Sequence, residues 1–335
     1  MSFRKSKIVF CLLAVFLSAC SSNTSILSID EMSNEIKKGD RYILSDLYVD
    51  HRAQQQVVTT PSGKIAYLDY GQGPTIVMLH GVPSSSWLYR KMIEPLQDDF
   101  RVIAIDLLGF GSSDKPDSND INYLPSSQAQ YVEQVLNELG VTDYSLLFHD
   151  MGGLVAWELL DRDLRANKSI DNMLVLNTIV DQHGFNHPKQ KKGVATRFMS
   201  DAFASQISSA AALELTFNNM GLTSNAKLSE SECNGYVVPM KEGNGDVLYE
   251  FYTSFDEQRF SKLKRQVSNL SKLDGGVLVM WGAEDKVLTT DQIPVLQEVA
   301  KLDQSNIHIF EDNAHFLPEE IPLELNQRIR GFLLN

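Results

Sequence analysis

The chain has 335 residues, 43% of them apolar and 22% charged, which describes a globular protein with one large core or a core carrying a sizeable insertion. A formal net charge of −13 argues against nucleic acid and anionic surfaces as partners. Nothing repeats at a fixed period and no low-complexity tract occurs, which excludes solenoid and fibrous architectures.

Arg4, Lys5 and Lys7 open the chain, and the apolar run Ile8–Ala19 follows. At twelve residues the run is too short to cross a bilayer, which takes about 20. It ends in Leu17-Ser18-Ala19-Cys20, which resembles the signal box of bacterial lipoproteins. That resemblance implies a signal peptide over residues 1–19 and lipid attached to Cys20, the new N-terminus. Ser21 is not acidic, which points to the outer membrane; acyl chains at about 0.8 kcal/mol per buried CH₂ would hold the protein there. The alternative is a plain secretory signal in which Cys20 is incidental. Loss of the three cations would move the charge from −13 to −16. Cys11 would leave with the leader and Cys20 would carry lipid, so Cys233 has no partner for a disulfide. Residues 20–45 are polar and serine-rich and suit a tether.

From there strands and helices alternate. Gln54–Thr60 and Lys64–Tyr70 suit an antiparallel pair around the turn Pro61-Ser62-Gly63. Thr75–Leu79 and Arg101–Asp106 are apolar enough for strands buried on both faces, with a helix over Ser86–Leu96 between them. A helical period over Ser126–Leu139 stops at Gly140; Tyr144–Phe148 is a strand and Gly152–Leu160 a helix directly after it. Met173–Leu176, Val277–Trp281 and Ile307–Phe310 are further strands. The expected fold is therefore α/β: a mostly parallel, doubly wound sheet. Its core is divided into residues 46–179 and 274–335 by an inserted, mainly helical cap over 180–273, in which Phe198–Leu215 is the most helical stretch. Ligands of such sheets bind beyond the carboxyl ends of the strands, where a cap would cover them.

Four features fall at strand ends. His149-Asp150-Met151-Gly152-Gly153 joins a strand to a helix by a sharp turn, which lifts the Asp150 side chain above the sheet at a helix N-terminus. A carboxylate in that position can attack an electrophilic carbon and form an alkyl ester. His80-Gly81-Val82-Pro83 follows Thr75–Leu79, where backbone N–H groups would form an oxyanion hole from Val82 and Met151. Trp281-Gly282-Ala283-Glu284-Asp285 offers an acid to orient a histidine, and Asn313-Ala314-His315-Phe316 offers the histidine. Motif register selects Asp285 over Glu284. His80 suits support of its own loop, and Trp87, Trp157 and Trp281 suit packing.

The segments HGVPSSSWLYR, DLLGFGSSDKP, HDMGG, WGAEDKV and HFLPEEIP together resemble the haloalkane dehalogenases and related epoxide hydrolases of the α/β-hydrolase fold. The likeness runs from about Val57 to the C-terminus and is weakest in the cap. It implies Asp150 as nucleophile, His315 as the base that activates water, and Asp285 as the partner of His315, with no cofactor, no metal and a small apolar substrate. Some relatives place the acid after the earlier strand, but Asn177 and Thr178 stand there. Two positions depart from the dehalogenases: Met151 and Val82 stand where relatives carry a tryptophan and a side-chain amide that hold the departing halide. No tryptophan lies in the cap, leaving Asn218, Asn219 or a cap tyrosine as donors. Epoxide hydrolases protonate the opening ring with cap tyrosines, for which Tyr236, Tyr249 and Tyr252 are candidates. A bulky Phe148 two residues before the nucleophile fits an ordinary esterase less well. A non-catalytic binding lipoprotein is the remaining alternative, and the complete Asp150–Asp285–His315 set argues against it.

Overall fold

The apolar runs pair into one eight-stranded sheet in the order β1-β2-β4-β3-β5-β6-β7-β8. The strands are β1 (Gln56–Thr60), β2 (Gly63–Tyr70), β3 (Thr75–Leu79), β4 (Arg101–Ile105), β5 (Asp143–Asp150), β6 (Ser169–Thr178), β7 (Val277–Gly282) and β8 (Ile307–Phe310). β1 and β2 run antiparallel, β2 joins β4 antiparallel, and every later pairing is parallel. This computed structural model describes residues 44–166, 169–185, 213, 217, 222–223, 226–243, 247–250 and 257–334. Cys20 and the signal segment, Asn218, Asn219, Tyr252 and all of Phe198–Leu215 except Leu213 lie outside those residues.

Side chains alternate across a strand, so an apolar run serves both faces at once. Val77, Leu79, Ile103, Ile105, Leu146, Phe148, Val175 and Val279 join one buried cluster. Ile76, Met78, Val102, Ala104, Leu147, Leu174, Leu176 and Met280 join the other. Each of these side chains other than Ala104 contributes about 1.5–3 kcal/mol on burial. Helices α3 (Pro125–Glu138) and α4 (Gly152–Ala166) cover the first face, together with α6 (Glu257–Val267) and α7 (Ile293–Ala300). Helices α2 (Arg90–Leu96) and α9 (Pro322–Leu333) cover the second. Among the described residues no helix is long and apolar enough to cross a membrane.

Helix α1 (Asp46–Gln54) is an addition to the sequence reading, which begins its first strand at Gln54. Its buried face is made of Tyr48, His51 and Arg52, so apolar periodicity could not reveal it. These residues are held by partners: Tyr48 and His51 meet Trp87 edge-on at 5.4 and 4.9 Å, and Arg52 binds Glu242 at 2.9 Å.

Of the segment expected as a cap, the described residues include α5 (Glu230–Lys241), which starts at a Ser229–Glu232 capping box. Glu232 does double duty: it also binds Arg90 at 2.9 Å and Lys91 at 2.6 Å. The Trp87 indole donates to the Glu232 carbonyl at 3.0 Å, and Ser45 N–H donates to Asn234 at 2.8 Å. A Cβ at Gly235 would overlap the Trp87 ring, so α5 lies this close to the core because that residue is glycine. Ion pairs, caps and close packing thus fasten α5 to α1 and α2.

Candidate active site

In the sheet, β3 lies between β4 and β5, so chain order reverses between β3 and β5. A crevice forms beyond the carboxyl ends of strands at such a reversal. His80-Gly81-Val82 leaves β3 there, and Asp150 closes β5.

Asp150 has φ 50°, a left-handed conformation that aspartate tolerates better than most side chains but still at a cost of about 1–3 kcal/mol. The pairing of β5 with β6 slips between His149 and Asp150, and Thr178 Oγ donates to the Asp150 carbonyl at 2.7 Å. Close approach depends on two glycines. A Cβ at Gly81 would overlap the Asp150 carboxylate, and one at Gly153 would overlap Thr178 Oγ. Behind the turn, Phe148 packs edge-on against Trp157 at 5.0 Å, which accommodates its bulk on the helix-covered face.

The Asp150 carboxylate is 7% exposed as a residue. Val82 N–H donates to its Oδ1 at 2.8 Å. Burial raises its pKa, opposed by His315 and by the N–H groups of Val82 and Met151. Of the two backbone donors expected from the sequence, the Val82 N–H is bonded to this carboxylate, and the neighbouring Met151 N–H favours its charged form. Oδ2 faces His315 Nε2 at 3.7 Å.

His315 follows β8 and is fully buried. Its Nδ1–H donates to Asp285 Oδ2 at 2.7 Å, and its Nε2 has no hydrogen-bond partner among the described residues. Burial lowers its pKa, but the Asp285 carboxylate, with smaller help from Asp150 and Glu320, outweighs burial and leaves it raised. Asp285 is saturated. Oδ2 also accepts from Asn177 Nδ2 at 2.7 Å, and Oδ1 accepts from the N–H groups of Val287 and Leu288 at 2.8 and 2.9 Å. Neighbouring Glu284 is exposed, so the strand end turns Asp285 inward and Glu284 out. Asn177 is held in turn by Gly282 N–H at 3.0 Å.

Two further histidines serve the frame. His80 Nδ1–H donates to Gly81 O at 2.8 Å and its Nε2 accepts from Leu107 N–H at 3.0 Å, so one nitrogen braces its own loop and the other ties it to the segment after β4. His149 Nε2–H donates to the His315 carbonyl at 2.8 Å, and burial pushes its pKa well below the usual histidine range. The neutral His149 ring thus supports the histidine loop from the residue next to Asp150.

All three indole N–H groups are committed to backbone carbonyls: Trp87 to Glu232, Trp157 to Ile179 and Trp281 to Leu288, at 2.9–3.0 Å. Of the cap tyrosines, Tyr236 is buried and its hydroxyl donates to Glu319, and burial raises its pKa far above the usual value. Tyr249 is half-buried in a helical stretch at 247–250. A narrow, mostly apolar crevice beside the His80–Pro83 loop is lined by Pro83, Ser84, Phe110, Tyr236, Pro239 and Met240 among others. Among the described residues, no group of three or more His, Cys, Asp or Glu side chains could hold a metal ion.

The sequence reading does not find the roles of Glu319 and Glu320 or that of Asn177. The first two lie in the quoted HFLPEEIP segment, and their only signal is two acids in a buried stretch after the histidine. Asn177 is noted there only for not being acidic.

Residues 74–322 match the model of a family described as the alpha/beta hydrolase fold. A cis-3-alkyl-4-alkyloxetan-2-one decarboxylase of Shewanella oneidensis is 34% identical over 116 residues, 34% of this chain and 36% of that protein. A haloalkane dehalogenase of Mycobacterium marinum is 39% identical over 111 residues, 32% of this chain and 37% of that protein. Both alignments thus span little more than a third of the relative. Epoxide hydrolase 3 of Xenopus tropicalis is 25% identical over 275 residues, covering 78% of this chain and 72% of that protein.

Proposed function

The chain belongs to the alpha/beta hydrolase fold family and is a hydrolase, and from that premise we propose that it cleaves a small apolar electrophile through an ester of Asp150, in the manner of a haloalkane dehalogenase. One observation carries this: the residue on the strained turn is a carboxylate, with Oδ1 on a backbone N–H and Oδ2 directed at the nitrogen of an Asp-oriented histidine. An aspartate needs no base to become a nucleophile, whereas a water does.

In the first step an Asp150 Oδ2 lone pair attacks the substrate carbon, and the carbon–leaving-group bond breaks with its electron pair going to the leaving group. In the second, His315 Nε2 takes a proton from water, and the hydroxide attacks the carbonyl carbon of the ester. The negative charge that develops on Oδ1 is met by the N–H groups of Val82 and Met151. Collapse expels the alkoxide, which takes the proton back from His315, and the Asp150 carboxylic acid left behind releases its remaining proton to solvent to restore the carboxylate. The first step prepares the second. Esterification removes the Asp150 charge facing His315, a charge that helps raise the pKa of that histidine. His315 then holds its proton less tightly and is a better-populated base when water arrives.

A second reading, in which a strained ring oxygen leaves instead of a halide, is favoured by one specific observation. Val82 and Met151 have no side-chain donor, and the indole N–H groups of Trp87, Trp157 and Trp281 are already bonded. Relatives named for an epoxide and for an oxetanone accord with it. The Tyr236 hydroxyl would have to leave Glu319 to serve as the acid.

The test is mass spectrometry of the Asp150 peptide from His315→Gln protein exposed to bromohexane or epoxyhexane. The expected outcome is a trapped alkyl ester on Asp150, with bromide release or diol formation by the unsubstituted enzyme identifying the leaving group. No adduct and no turnover with either compound would favour ligand binding without catalysis. We further propose the lipid anchor at Cys20, outside the described residues. Cys20→Ser should release the protein from membranes into the soluble fraction, and retention there would count against the anchor.

A further inference from the structure

The segment that carries His315 meets the cap at three places. Its helix α8 (Leu317–Glu320) ends in two glutamates with separate partners. Glu319 receives the Tyr236 hydroxyl from α5. Phe316, the residue after His315, meets Phe217 of the cap edge-on at 4.5 Å, and Phe217 meets Tyr236 edge-on at 4.9 Å. Glu320 makes the most direct link. Its Oε2 accepts from the N–H of Ala314, the residue before His315, at 2.8 Å, and its Oε1 accepts from the N–H of cap residue Thr223 at 2.7 Å. One carboxylate therefore holds the histidine loop with one oxygen and the cap with the other.

We propose that Glu320 is a positioning residue for the water-activating step, tying the His315 loop to the cap segment at Thr223 so that seating this segment sets the base against the Asp150 ester. The inference rests on the aspartyl-ester reading above. It concerns one half-reaction only. The attack of Asp150 on carbon uses a residue fixed by β5, by the Val82 N–H on its carboxylate and by the Thr178 hydroxyl on its backbone carbonyl, bonds in which Glu320 takes no part. Hydrolysis of the ester uses a water that His315 Nε2 must hold in line with the carbonyl carbon, and a misplacement of about 1 Å there can cost on the order of a hundredfold. A general structural role for Glu320 would instead slow both half-reactions together.

The experiment is rapid-quench mass spectrometry of the Asp150 peptide in Glu320→Ala, Glu320→Gln and Thr223→Pro proteins, with bromohexane or epoxyhexane as the probe. In Glu320→Ala, ester formation should stay within about twofold of the unsubstituted rate while ester decay slows about tenfold or more, so that the ester accumulates. Glu320→Gln retains one acceptor oxygen and should fall between. Thr223→Pro removes the cap-side donor, leaves the Glu320 bond to Ala314 in place, and should also slow decay more than formation. Thermal unfolding of each variant accompanies the kinetics, so that a loss of fold registers as an equal loss in both half-reactions. Equal slowing of formation and decay, or decay at the unsubstituted rate in Glu320→Ala, overturns the inference and leaves the ester chemistry standing. Absence of any ester, including in His315→Gln, overturns the aspartyl-ester reading and this inference with it.

Discussion

Asp150 and Glu319 are both buried acids, and their surroundings are opposite. Glu319, whose side chain is 1% exposed, is met by the Arg90 guanidinium, by Lys91 at 3.0 Å and by the Tyr236 hydroxyl. Its charge is fully answered, and the cluster joins α2, α5 and α8 into one body. Asp150 sits on a strained turn, with burial raising its pKa and one oxygen facing a histidine nitrogen that has no hydrogen-bond partner among the described residues. A carboxylate saturated by cations holds structure together. One left short of partners is available for chemistry, and the fold bears the cost of keeping it so.

The largest effect that can test this contrast is on turnover. Asp150→Asn should lower kcat by about a thousandfold or more, since asparagine cannot form the ester. Asparagine accepts the left-handed backbone, so the melting temperature should stay level or rise. A marked loss of stability would break the contrast. Glu319→Ala should do the reverse. Leaving Arg90 and Lys91 with only Glu232 should cost about 3–5 kcal/mol in denaturant unfolding, the usual scale for a broken buried pair. Unchanged unfolding would mean that the cluster is ornamental. The smallest effect concerns pH. Burial pushes Glu232 upward, but its bonds from Lys91 and Ser229 outweigh this and bring its carboxyl from 4.5 to about 2. The stability it supplies is complete above pH 4.5 and is lost as pH falls toward 2. Trp87 fluorescence should report loosening of α5 across that window, and Glu232→Gln should flatten the change.

The strands of the core were legible because burial on both faces leaves continuous apolar runs; β3 and β8 fall on the expected residues. Asp150, Asp285 and His315 were legible as candidates because each closes or shortly follows a strand, and a parallel sheet gathers strand ends by construction. Helix α1 was not legible, since its buried face is Tyr48, His51 and Arg52, which are buried through specific partners. Asn177 escaped for a related reason. Its function is the bond to Asp285, 108 positions away, and no local pattern marks such a bond.

By itself the sequence determined the sheet, the carboxylate on the turn and the order of acid and histidine after it, because strand burial and turn geometry are local demands on residue type. Only the tertiary structure decided which donors remain free. It spends all three indole N–H groups on backbone carbonyls and the Tyr236 hydroxyl on Glu319. It also gives Glu320 to both the histidine loop and the cap. The physical reason is that a hydrogen bond between distant segments depends on where the fold brings them, and residue type records only the capacity to make one.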